Sequence, residues 1–93
     1  HFVIATGSTV PPPPVPGLAE AGYLTSDDAL RLTRRPESLV VLGAGAVGLE
    51  FAQFFARFGT QVTVIQRSGH VLRDADEDVA KELEKALARE GIA

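Results

Sequence analysis

The stretch SLVVLGAGAVGLE, Ser38–Glu50, sets a short apolar run against a glycine pattern and then a long apolar sequence of helical length. The β-branched pair Val40-Val41 and the glycine boundary predict that Leu39–Leu42 is a buried parallel strand. Gly43, Gly45 and Gly48 follow as G-x-G-x-x-G at a strand-to-helix junction, and each has a distinct expected task. The first turns the chain off the strand, and the second leaves no Cβ where a pyrophosphate approaches the backbone. The third lets the helix pack close to the strand. Ala46 and Val47 then open a helix whose N-terminal N–H groups and dipole favour phosphate. A lone glycine pattern is weak, but here a strand precedes it and a helix and second strand follow.

Working outward, helix Ala46–Phe58 is apolar nearly all round, with Glu50, Gln53 and Arg57 on one narrow polar stripe. It is expected to be buried on most of its circumference, with Gly59 as its stop. Gln61–Gln66, QVTVIQ, reads as the second strand, so the helix makes a βαβ crossover. After a loop at Ser68–Asp74, Asp76–Glu90 is amphipathic, with Val79, Leu83, Ala86 and Leu87 on one face and Gly91 closing it. The fold class is α/β: a Rossmann-like βαβα half-domain, an incomplete doubly wound parallel sheet.

Upstream, Phe2–Ala5 reads as a short strand closed by Thr6-Gly7-Ser8. Pro11–Pro16 then reads as a stiff polyproline II connector rather than a docking site for a proline-recognition module. Thr25-Ser26-Asp27-Asp28 starts a short helix over about 27–32, capped by Thr25 with Asp28 or by Ser26. Arg34-Arg35-Pro36 ends it as a solvated turn, the alternative being an anion site. His1 opens the chain directly in the strand-like run and Gly91-Ile92-Ala93 begins a new apolar segment, so a piece of a longer protein is the expectation.

Composition narrows the function classes. Of 93 residues, 45% are apolar and 23% charged, which fits one small globular domain. The net charge of −3 gives no basic excess, so no nucleic-acid partner is expected. Cysteine is absent, which excludes thiolate catalysis and disulfides within the chain, and two histidines make no metal cluster. No stretch approaches the roughly 20 apolar residues of a membrane span, so no membrane partner is expected, and a cytoplasmic setting is.

The end of the second strand is where a dinucleotide's adenosine ribose is read, about 20 residues past the glycines. A carboxylate there selects NAD, whereas an arginine accommodates the 2′-phosphate of NADP. Gln66 is neutral and Arg67 cationic, with Arg73 in the following loop. Arg67 as a plain surface cation is the competing reading, but its position favours NADPH over NADH, with Arg73 assisting. Glu50 is either a first-turn carboxylate that suits the helix dipole or a contact to the nicotinamide end. His70 reads as a loop histidine.

These motifs together, IATGS (4–8), the proline-rich connector, PGL (16–18), YLTS (23–26), the run from Pro36 to Ile65 and EGI (90–92), resemble the pyridine nucleotide–disulfide oxidoreductase family across the whole chain. The resemblance implies that Ala5, Thr6 and Gly7 belong to the edge of an FAD domain. It also implies that Gly43, Gly45 and Gly48 line the NAD(P)H pyrophosphate and that Glu50 lies near the nicotinamide. Residues 1–16 would end a flavin segment and 17–93 would form the first half of the NAD(P)H domain. The family's redox cysteines and remaining domains would lie outside this stretch, with FAD and a homodimer expected in the parent. Ile65–Ser68 is more similar to mercuric reductases and other NADPH users than to lipoamide dehydrogenases, which typically carry glutamate where Gln66 stands.

The implied function is therefore hydride transfer from NADPH to FAD and on to a disulfide or metal-ion acceptor. An NAD-using dihydrolipoamide dehydrogenase and a non-catalytic nucleotide-binding or scaffold module are the alternatives. The isolated stretch, with unsatisfied strand edges and an apolar helix face, is expected to self-associate.

Overall fold

The computed structural model describes residues 1–93. In chain order it contains helical turns α1 (Leu18–Ala21) and α2 (Ser26–Ala29), strand β1 (Ser38–Leu42), helix α3 (Ala46–Arg57), strand β2 (Gln61–Ile65) and helix α4 (Glu77–Arg89). Two compact units divide the chain, His1–Leu32 and Thr33–Ala93.

The first unit corrects the expected N-terminal strand. Phe2–Ala5 forms no strand, and Phe2 and Ile4 are 101% and 86% exposed. A strand exists only through hydrogen bonds to a neighbour, and the sheet consists of β1 and β2 alone, so apolar composition is insufficient. The proline run is not a continuous polyproline II rod either. The Val15 N–H bonds the Pro13 carbonyl at 2.8 Å, a tight turn centred on Pro14, and Leu18 then bonds Val15 at 3.2 Å. The helical turn α1 was not anticipated; Gly17 and Gly22, both at φ +79°, bracket its four residues. At α2 a full capping box fixes Thr25 as the N-cap. Asp28 N–H donates to Thr25 Oγ1 at 3.3 Å and Thr25 N–H donates to Asp28 Oδ2 at 2.9 Å. Bonds from the Thr25 hydroxyl and backbone N–H hold the Asp28 carboxyl below its ordinary range. The helix ends at Ala29, short of the expected 32, because Arg31 and Leu32 bond back three residues instead of four.

In the second unit β1 and β2 pair in parallel from Ser38↔Gln61 to Leu42↔Ile65. Burial alternates along both strands. Leu39, Val41, Val62 and Val64 form the better-buried face, while Val40, Leu42 and Ile65 stay exposed. The expectation of a strand buried on both sides is thus corrected: one face of this two-stranded sheet is open. The same holds for α3, which buries Leu49, Ala52 and Phe55 but leaves Phe54 and Phe58 53% and 65% exposed. Those two rings lie against each other, 4.8 Å between centroids.

Gly59 at φ +85° stops α3, and the guanidinium of Arg35 donates to its carbonyl at 2.6 Å. That bond makes Arg35 a tether rather than an anion site. In α4 the buried stripe runs through Ala80 and Leu87 with Leu83 and Ala86 half-buried, whereas Val79, expected on that face, is 58% exposed. The polar stripe of α3 meets the far end of α4. Arg57 makes two bonds to the Glu90 carboxylate, 2.8 and 2.9 Å, and Gln53 adds a third at 2.7 Å. Beyond α4, Ile92 is buried, and Ala93 exchanges backbone bonds with Val62 and Val64 along the edge of β2 that β1 leaves free.

Candidate dinucleotide-binding site

Three glycines at the carboxyl end of β1 serve three different needs. Gly43 leaves the strand at φ +103°, a conformation that other residues rarely adopt, and its N–H closes the sheet by bonding Ile65 O at 2.8 Å. A Cβ on Gly48 would fall inside contact of the Gly43 carbonyl oxygen, so the close approach of α3 to the turn requires glycine there. Gly45 is constrained by neither need. Its φ is −77°, and a Cβ there would meet nothing within 4 Å. It is the N-cap of α3 and supplies no side-chain cap, so the first-turn amides of Ala46, Val47 and Gly48 are free of one. The chain's own packing thus gives no reason for a glycine at 45, and open space lies above a helix N-terminus.

Beside this turn runs a groove of about 600 Å³, lined by Gly45, Ala46, Gln66, Arg67, Arg73 and Asp74 among others. Arg67 is exposed and enters no ion pair; Arg73 Nε lies 3.3 Å from Asp74 Oδ1. The loop that presents the two arginines is tied internally. The Gln66 carbonyl accepts from the Ala44 N–H at 3.2 Å and its amide donates to the Ser68 hydroxyl. Ser68 Oγ in turn donates to the His70 carbonyl at 3.2 Å. His70 Nδ1 donates to the carbonyl of Val71 at 2.7 Å, and the Val71 N–H bonds Glu84 Oε1 of α4 at 3.0 Å. His70 is therefore a loop residue with its ring anchored locally, and it does not line the groove.

Five of the residues singled out in the sequence meet around the groove: Gly45, Ala46, Gln66, Arg67 and Arg73. Gly43 and Gly48 shape the turn beneath it. Val47 and Glu50 are exposed on α3 and do not line it. Ala5, Thr6 and Gly7 lie in the first unit in irregular, exposed backbone. Sequence reasoning missed Leu72 and Asp74. An acidic neighbour to Arg73 was legible as Arg73-Asp74, but the left-handed backbone of Leu72, φ +48°, has no sequence signal.

A parallel β-α-β unit with a glycine turn and a helix N-terminus facing an arginine-lined groove defines a Rossmann-type nucleotide-binding fold. The family model described as pyridine nucleotide-disulphide oxidoreductase matches residues 1–93, and the chain belongs to that family of FAD- and NAD(P)H-using oxidoreductases. It is 43% identical over 92 residues to a mercuric reductase from Bacillus cereus, covering 99% of this chain and 15% of the relative. With a dihydrolipoyl dehydrogenase from Acholeplasma laidlawii the identity is 39% over 96 residues, covering 99% of this chain and 29% of the relative. Among solved structures, the Cu(II) complex of the HOCl-induced flavoprotein disulfide reductase RclA from Escherichia coli superposes with a TM-score of 0.82. That match is 33% identical and covers 94% of this chain and 20% of RclA. The chain thus spans less than a third of the length of each of these proteins.

Proposed function

We propose that this chain binds the pyrophosphate and adenosine end of NADPH within an FAD-dependent oxidoreductase. The observation that carries the reading is the glycine at 45, which neither backbone conformation nor packing demands and which keeps a helix N-terminus open to a phosphate. The amides of Ala46, Val47 and Gly48 would hold the pyrophosphate. Arg67 and Arg73 would pair with the 2′-phosphate by charge-assisted hydrogen bonds, Arg73 exchanging its exposed contact with Asp74 for a dianion.

NADPH held there would supply hydride for FAD in the whole protein, whose acceptor would be a disulfide or metal ion. The residues of this chain contribute binding and orientation. Glu50, five residues into α3, is assigned to the nicotinamide side, and Ala5–Gly7 to the flavin side. Residues 1–16 then end a flavin segment and 17–93 begin the NAD(P)H domain of a cytoplasmic homodimer. The open sheet face supports self-association of the 93-residue chain.

A second reading, NADH use as in dihydrolipoyl dehydrogenases, is favoured by Asp74, a groove carboxylate able to accept from a ribose 2′-hydroxyl. Calorimetric titration of the chain with NADPH and NADH separates the two. The expected result is at least tenfold tighter NADPH binding, abolished by Arg67→Ala, since one charge-assisted bond contributes about 1.5–3 kcal/mol. Equal affinities would overturn the NADPH assignment, and tighter NADH binding lost in Asp74→Asn would establish the second reading.

A further inference from the structure

We propose that Gln66 is a positioning residue that fastens the arginine loop to the glycine turn, so that the pyrophosphate end and the 2′ end of the dinucleotide are read by one coupled unit. The inference rests on the dinucleotide reading of the groove. Both ends of the Gln66 amide are engaged within the chain. The Ala44 N–H can only donate, so the amide carbonyl faces it and the NH₂ group faces Ser68. Ala44 is fully buried, and its own carbonyl accepts from the Leu72 N–H at 2.8 Å. Leu72 makes that bond at φ +48°, a backbone conformation costly for a side chain of its size.

The residue between the first two glycines is therefore gripped on both sides by a single loop. The two gripping residues immediately precede the two arginines: Gln66 precedes Arg67 and Leu72 precedes Arg73. Each arginine is placed by one hold on Ala44. A Gln66 that swung its whole amide out to the ribose would leave the buried Ala44 N–H without a partner.

The test measures Ala44 amide hydrogen exchange by NMR, together with NADPH and NADH affinities, in the unsubstituted chain, Gln66→Ala and Gln66→Glu. Gln66→Ala is expected to speed Ala44 exchange at least tenfold. It should lower the NADPH-over-NADH preference at least tenfold while changing NADH affinity less than threefold. Glutamate keeps an oxygen for Ala44, so Gln66→Glu is expected to restore the protection, while its added charge beside Arg67 disfavours the 2′-phosphate. Unchanged exchange or an unchanged preference in Gln66→Ala overturns the proposal, as does Ala44 exchange in Gln66→Glu as fast as in Gln66→Ala. If the unsubstituted chain binds neither dinucleotide, the cofactor reading falls. The hold on Ala44 is then decided by its exchange and by backbone ¹⁵N relaxation at Arg67 and Arg73, which Gln66→Ala should loosen. Should Gln66→Ala not fold, Gln66→Asn, too short to reach both partners, takes its place.

Discussion

Gly45 and Gly48 stand three residues apart in one motif, yet substitution should affect different properties. Gly48→Ala drives a methyl into a backbone carbonyl, and relief requires α3 to move off the turn. The expected cost is about 1–3 kcal/mol of unfolding free energy, seen as a lower urea midpoint. Gly45→Ala meets no atom, so its stability effect is expected to stay within about 1 kcal/mol, mainly the poorer N-cap. NADPH affinity should nevertheless fall at least tenfold by calorimetry, because the methyl occupies the phosphate's approach. A Gly45→Ala chain that binds normally would remove the cradle from the site. The motif was legible in sequence because Gly43 and Gly48 answer to local backbone conformation and close packing, and Gly45 stands at fixed spacing between them. Gln66 was legible only as a position: its distance from the glycines placed it at the ribose, but nothing in one sequence shows an amide turned inward to Ala44. Leu72 was invisible for the same reason, since its backbone is fixed by a partner 28 residues away.

Elements were read well where one segment dictates its own form and poorly where a neighbour decides. Strands β1 and β2 and helices α3 and α4 lie within a residue or so of their expected bounds, since glycine stops and apolar periodicity are local signals. Phe2–Ala5 and the burial of β1 and α3 depend on what lies alongside, which periodicity does not encode. Phe55 is the largest buried side chain of α3, 5% exposed and stacked on Phe51. Phe55→Ala is expected to destabilise by about 3–5 kcal/mol, enough to unfold much of a small domain, as judged by thermal melting followed by circular dichroism.

The bond between the ends of α3 and α4 adds a pH dependence. The hydrogen bond from Arg57 above all holds the Glu90 carboxyl below its ordinary range; desolvation opposes it, and the Gln53 bond and the Arg57 charge add to the lowering. A carboxyl lowered on folding stabilises above its unfolded pKa of about 4.3, and that contribution is lost as pH falls through the folded value. Glu90→Gln should therefore lower the urea midpoint at neutral pH and match the unsubstituted chain in acid. An equal deficit at both pH values would show that the contact acts through shape and not charge.

For the whole molecule, the open sheet face leaves Val40, Leu42 and Ile65 in water, and Phe54 and Phe58 add a pair of exposed rings, surface of the kind that favours association. Sedimentation is expected to show concentration-dependent association. The double change Ile65→Thr and Phe58→Gln should reduce it without changing the unfolding free energy by more than about 1 kcal/mol, since both side chains are already half solvated. Association untouched by the double change would place the contact elsewhere on the chain.

The unequal fastening of α4 has a kinetic consequence. Its last turn is held by the Glu90 contacts and by the Ala93 backbone bonds to β2, whereas Asp76 at its start makes no side-chain capping bond. Fraying should therefore run one way. Amide exchange along α4 is expected to be fastest over Glu77–Val79 and to slow toward Arg89, with the first turn opening while the sheet stays closed. That turn adjoins Arg73–Ala75, so one rim of the groove can yield to an entering ligand while the glycine turn opposite keeps its shape.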